Sequence, residues 1–70
     1  MDADIQVTVN GMPERVPASA TLALIIVRFA EQDPDLIVEH NGRFVFPRDY
    51  SSTRAAPGDR IEFIHPNFGG

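Results

Sequence analysis

The residues best placed to do chemistry are Gly69 and Gly70, at the end of the run Ile61-Glu62-Phe63-Ile64-His65-Pro66-Asn67-Phe68-Gly69-Gly70. The reactive group there is the α-carboxylate of Gly70. A carboxylate is a poor electrophile, so any acyl chemistry at its carbon would need a leaving group supplied from outside this chain. Bulk beside the carbon would block entry. Gly69 and Gly70 carry no side chain and reach backbone angles closed to other residues, so they can thread a narrow channel. From Ile64, six further residues at about 3.3 Å each give a reach of roughly 20 Å. Pro66 fixes one torsion and stiffens the start of this tail. Phe68 either anchors in an apolar slot on the partner or packs back on its own sheet. The plain alternative for the whole tail is a frayed end without a role.

No other constellation competes strongly. His40 and His65 have no nearby cysteine, which makes a poor zinc site, so no metal is expected. Asp33, Asp35 and Glu39 lack the loop spacing of a calcium site. No Ser/His/Asp order, paired carboxylates or glycine-rich phosphate loop is present. The chain has six arginines, no lysine and no cysteine, which removes thiol nucleophiles, Schiff-base lysines and thiolate metal sites. A domain this small also has little room for a substrate pocket. The expectation is a small domain that is not an enzyme, with no catalytic residues and no bound cofactor of its own.

Seventy residues make one domain. A hydrophobic fraction of 43% and a charged fraction of 23% suit a folded core rather than disorder. The net charge of −4 argues against nucleic acid, which needs clustered Lys and Arg. The apolar run Leu22-Ala23-Leu24-Ile25-Ile26-Val27 is far too short to span a membrane. The acidic start Met1-Asp2-Ala3-Asp4 does not resemble a secretory signal. A cytoplasmic protein with no membrane partner is therefore expected.

The elements that must position the tail can be taken in order. Asp4 to Val9 alternates, with Ile5, Val7 and Val9 on one face, as in a half-buried strand. Asn10-Gly11 is a strong hairpin signal. Met12-Pro13 is expected to extend that loop, and Glu14-Arg15-Val16 to return as a short edge strand bracketed by Pro13 and Pro17. Ser19-Ala20-Thr21 offers N-cap hydroxyls. Leu22, Ile25, Ile26, Phe29 and Ala30 then fall at helical spacing, which predicts a helix of about three turns from Leu22 to Gln32. The β-branched pair Ile25-Ile26 lowers its intrinsic propensity, so packing must hold it.

Leu36 to His40 reads as a third strand, Asn41-Gly42 as a second hairpin turn, and Arg43 to Phe46 as its return. Asp49 to Ala56 has no clear period and is expected to form an irregular crossover with a short helical turn. Pro57-Gly58-Asp59 is a tight turn. Arg60 to His65 is the last strand, with Ile61 and Phe63 on one face and Glu62 and Ile64 on the other. Two hairpins flanking one helix exclude a doubly wound sheet. The first and last strands can lie side by side in parallel, with the helix covering one face. That is an α+β, β-grasp (ubiquitin-like) architecture of about five strands in a single mixed sheet, assigned to residues 1–66, with 67–70 as a flexible tail.

In this order the residues resemble the ThiS/MoaD family of small sulfur-carrier proteins, nearly end to end. The likeness runs through Ile5-x-Val7-x-Val9-Asn10-Gly11, Ala20-Thr21-Leu22, Ile37-Val38-Glu39-His40-Asn41-Gly42, Pro47-Arg48-Asp49-Tyr50, Gly58-Asp59-x-Ile61-Glu62-Phe63 and Gly69-Gly70. The Val-Glu-x-Asn-Gly and Pro-Arg-x-aromatic segments look more like the ThiS branch than the MoaD branch. Two features depart from the usual pattern: a slightly longer strand after Asn41-Gly42, and the tail His65-Pro66-Asn67-Phe68.

The resemblance implies that Gly70 is the covalent site. A ThiF/MoeB-type adenylating enzyme would activate it using ATP and Mg²⁺, and a sulfur donor (a desulfurase or sulfide) would convert it to a thiocarboxylate. The sulfur would pass to an acceptor enzyme such as thiazole synthase in thiamine biosynthesis. Homocysteine and methionine synthesis, a MoaD-like molybdopterin role and a ubiquitin-like protein modifier remain alternatives. Gly69 would be the threading residue, and partner contacts are assigned to Phe68, Asn67, Ile64, Phe44 and Phe46. Of the two phenylalanines at 44 and 46, at least one is expected to belong to the core instead. Arg15, Arg48 and Arg60 are expected to be solvated surface.

Overall fold

The computed structural model describes residues 3–29 and 33–66. Strands β1 (Asp4–Val9) and β2 (Met12–Pro17) precede helix α1 (Leu22–Arg28); β3 (Ile37–His40), β4 (Arg43–Val45), a 3₁₀ turn (Pro47–Asp49) and β5 (Arg60–Ile64) follow. The strands form one five-stranded sheet in the order β2-β1-β5-β3-β4. β1 and β5 run parallel at its centre, and the other neighbours are antiparallel. This is the β-grasp arrangement expected from the sequence.

Both hairpins turn in two residues. Asn10 and Asn41 have φ of 50° and 54°, and Gly11 and Gly42 both have φ of 83°. Those values belong to the turn whose twist matches paired strands, and Asn-Gly is the pair that adopts it most readily. The first turn is tighter than expected. Met12 already pairs with Val9, so Met12 and Pro13 belong to β2 rather than to a loop. Pro13 and Pro17 both lie inside that strand, which is tolerated because β2 is an edge.

The helix is shorter than predicted. It has seven residues and ends at Arg28, capped by Phe29, whose φ of −100° and ψ of 17° leave the helical region; the predicted positions Ala30 to Gln32 lie outside the described residues. Its interior contains Ile25-Ile26-Val27, three consecutive β-branched residues that resist extension. So short a helix cannot persist alone. Leu22 and Ile25 are completely buried, with Ile26 and Phe29 packed against the core; a fully buried side chain of this size contributes about 1.5–3 kcal/mol.

Its N-terminus is fully satisfied. Leu22 N–H donates to Thr53 O, Ala23 N–H to Tyr50 O, and Leu24 N–H to the Thr21 hydroxyl at 3.2 Å. The crossover is thus irregular, as expected, yet firmly attached: its carbonyls cap the helix, and Ala55 N–H donates back to Ala20 O. Its helical turn lies at Pro47–Asp49, earlier than expected, and shares only Asp49 with the predicted range Asp49 to Ala56.

One core unites these parts: Val7, Val9 and Val16 from the first hairpin, Leu22 and Ile25 from the helix, Val38, and Ile61 and Phe63 from β5. Ile61 and Phe63 therefore face the helix, while Glu62 and Ile64 face outward on the open side of the sheet.

The turn asparagines also bind β5. Asn10 Oδ1 accepts from Phe63 N–H, and Asn41 Oδ1 accepts from Arg60 N–H, both at 2.8 Å. In each case the neighbouring strand has already turned away, and the side-chain carbonyl stands in for the next backbone carbonyl of the ladder. Replacing Asn10 by Gly keeps the positive φ and removes only this acceptor. We expect Asn10→Gly to lose about 1–2 kcal/mol of stability in urea denaturation, and Asn10→Asp, which keeps an acceptor oxygen, to lose less.

Candidate functional site

The predicted chemical residues Gly69 and Gly70, and the predicted contacts Asn67 and Phe68, lie outside the described residues. The structure does describe the platform that carries them: β5, His65 and Pro66, and the sheet face beside them.

β5 is held along its length. Thr8 and Asn10 N–H donate to Asp59 and Ile61 carbonyls, and Asn41 N–H donates to Arg60 O. At its start, the Asp59 carboxylate gathers three partners: His40 Nε2 at 2.6 Å, Asn41 Nδ2 at 3.0 Å and Ala56 N–H at 2.8 Å. Burial pushes this carboxyl's pKa up. The hydrogen bonds from His40, Asn41 and the Ala56 amide outweigh that and hold it below its ordinary value of 3.8. The Asp59 junction therefore ties β3, the second hairpin turn and the Pro57-Gly58 turn to the beginning of β5.

At the far end of β5, His65 Nδ1 lies 3.2 Å from Asp33 Oδ2. Asp33 stands in the loop between helix and β3, and its other oxygen accepts from Asp35 N–H at 2.8 Å. That backbone bond, and secondarily His65, lowers the Asp33 pKa. Each histidine is thus engaged with an aspartate from another element. Among the described residues no group of three or more metal-ligating side chains occurs, and there is no pocket.

The open face of the sheet carries an apolar patch. Ile37 pairs with Ile64 across β3 and β5. Extending the β3–β4 register by one residue places Phe46 beside Ile37. Phe44 and Phe46 meet edge to face with centroids 4.8 Å apart, an arrangement favoured by the aromatic quadrupole. Phe44, Phe46 and Ile64 are 51%, 47% and 39% exposed. This corrects the expectation that at least one of the two phenylalanines is core. Phe44 and Phe46 share a face because they are two residues apart, and the buried β4 contribution comes from Val45 between them.

Arg48 is likewise more than solvated surface: its guanidinium lies 4.5 Å from the Phe46 ring centroid, a cation–π distance. Glu39 and Glu62 face each other directly across β3 and β5, and a like-charged pair so placed is destabilising. The described part of the platform therefore presents exposed aromatic and aliphatic groups, bordered by two carboxylates and one stacked guanidinium, at the root of the tail.

The ThiS family model matches residues 5–70. The chain belongs to the ThiS family. Among solved structures, the thiamine biosynthesis protein ThiS from Geobacter metallireducens is similar, with a TM-score of 0.82 and 28% identity. The alignment covers 94% of this chain and all of that one. No curated protein matches the chain significantly. This is a ThiS-type sulfur carrier on a β-grasp fold, and the family match includes the Gly69-Gly70 end.

The sequence pattern gave no role to Asn10, Asn41 or Asp59 beyond turn formation. The available signal was position: Asn10 and Asn41 directly follow the two strands that flank β5, and Asp59 directly precedes β5 itself. The Asp59 junction has a pH signature. Because its folded pKa is below 3.8, the stability it contributes is full above that value and is lost as pH falls through the folded pKa. We expect the denaturant midpoint of the native chain to fall over this acid window, and Asp59→Asn to show a smaller fall, as measured by urea titrations at stepped pH.

Proposed function

We propose that this ThiS-family chain carries sulfur as a thiocarboxylate on Gly70 for thiamine biosynthesis. The observation that carries the reading is the family match, which extends through residue 70. A partner of the ThiF/MoeB type transfers AMP from MgATP to the Gly70 carboxylate, releasing pyrophosphate. The acyl-adenylate gives the carbonyl carbon a good leaving group. Sulfide then displaces AMP, leaving sulfur in place of one carboxylate oxygen. Where a desulfurase's persulfide attacks instead, AMP leaves and an acyl disulfide forms, which a thiol reductant cleaves to the same thiocarboxylate. A thiazole synthase accepts that sulfur. The thiamine assignment rests on the likeness to the Geobacter ThiS. Catalysis and nucleotide binding belong to the partners, and this chain acts as their substrate.

The chain's own contribution is presentation. Gly69 and Gly70 supply a tail without side chains, and Phe68 and Asn67 are the tail residues assigned to partner contact. Ile64, Phe44 and Phe46 form the docking face beside the tail's root, since exposed apolar groups in a contiguous patch mark contact sites. The Glu39–Glu62 pair in the same face suits a partner that brings a basic side chain to it.

Pyrophosphate release with a cognate adenylating enzyme, ATP and Mg²⁺ separates these roles. Removing Gly70 should abolish release while leaving the urea midpoint unchanged. Phe44→Ala should raise KM by about fivefold or more, the loss expected of an interface anchor, with little cost to stability because the ring is already exposed. Normal turnover by the chain lacking Gly70 would remove the proposal.

A further inference from the structure

The contact between Asp33 and His65 joins two segments far apart in sequence, and nothing in the carrier chemistry requires it. His65 is the first residue beyond β5, and its backbone is followed by Pro66. A residue before proline is driven to extended conformations, and proline fixes its own φ. Both backbone restraints act where the chain leaves the sheet. The side chain of His65 adds a third, through Nδ1 to Asp33 Oδ2 at 3.2 Å. Asp33 is itself held, because its second oxygen accepts from Asp35 N–H and its carbonyl accepts from Leu36 N–H at 3.1 Å. The anchor is therefore prearranged by its own loop before His65 reaches it.

We propose that Asp33 is a positioning residue: acting through His65, it sets the direction in which the tail leaves the sheet for the partner's site. This rests on the carrier reading above. Four residues follow Pro66, and fully extended they span at most about 13 Å. A swing of about 20° at the root would move their far end by about 4–5 Å. Reacting atoms must approach to about 3–3.5 Å, so an unset root leaves more of the search to the partner and raises the cost of engagement. The pair touches neither ATP nor the acyl carbon, so its effect falls on KM and leaves kcat largely unchanged.

The test is a double-mutant cycle on pyrophosphate release, using Asp33→Ala, His65→Ala and both together. Each single change should raise KM about two- to fivefold, as befits an exposed pair. The double variant should be no worse than either single one. His65→Asn, which can place an amide N–H near the position of ring Nδ1, should restore most of the loss. Additive effects, unchanged KM values or a fall confined to kcat would overturn the proposal. A second readout needs no partner. Followed by carbon-13 NMR, the Asp33 carboxyl should titrate higher in His65→Ala than in the native chain, yet still below 3.8 because the Asp35 bond remains. An unchanged Asp33 titration would remove the pair itself. A native chain that is not turned over would instead bring down the carrier reading, and the positioning role with it, while the titration would still report whether the two side chains meet.

Discussion

The constraint on which the rest depends is the fixing of β5 between two strands that turn away from it. β1 ends at Val9 and β3 at His40, so the ladders beside β5 run out before all its amides are matched. The amide side chains of Asn10 and Asn41 supply the missing acceptors for Phe63 and Arg60. A buried or half-buried N–H left alone costs about 1–3 kcal/mol, a substantial share of the stability of so small a domain. One residue type therefore performs two tasks at each turn. Asparagine tolerates positive φ, which makes the tight hairpin, and its side chain completes the neighbouring strand. Glycine would serve only the first.

Function follows from that arrangement because β5 leads into the tail. Its inward residues Ile61 and Phe63 lock it to the helix through the shared core, and Asp59 ties its start to β3 and to the preceding turn. Its outward residue Ile64 joins Ile37 and the two phenylalanines in the exposed patch. The strand thus couples the stable part of the molecule to the part offered to partners. The carrier role proposed above calls for such a division: there the reacting carbon travels into another protein while its base stays where the proposed docking face guides it.

Much of this was legible in the residues. Alternation in Ile5-Val7-Val9 and Ile61-Phe63, with Asn-Gly at both hairpins, dictates the strands and their turns, and only a few mixed-sheet topologies accommodate the order. Other features depend on distance in space, which local pattern does not encode. The helix stops at Arg28, and its β-branched run Ile25-Ile26-Val27 has little intrinsic propensity to carry it further, although apolar spacing continues to Ala30. Phe44 and Phe46 look like core residues in a hydrophobic run, yet Val45 takes the inward position and leaves both rings outside. The reach of Asn10 to Phe63, and of Asp33 to His65, joins positions that no periodicity connects.

In the proposed function, the carboxyl end of this chain bears the sulfur. Intact-mass spectrometry after incubation with a cognate adenylating enzyme, ATP, Mg²⁺ and a sulfide source tests it most directly. A single oxygen-for-sulfur exchange is expected, located at Gly70 by fragmentation. An unchanged mass with an enzyme shown to activate another ThiS-family chain, or sulfur found at any other residue, would contradict it.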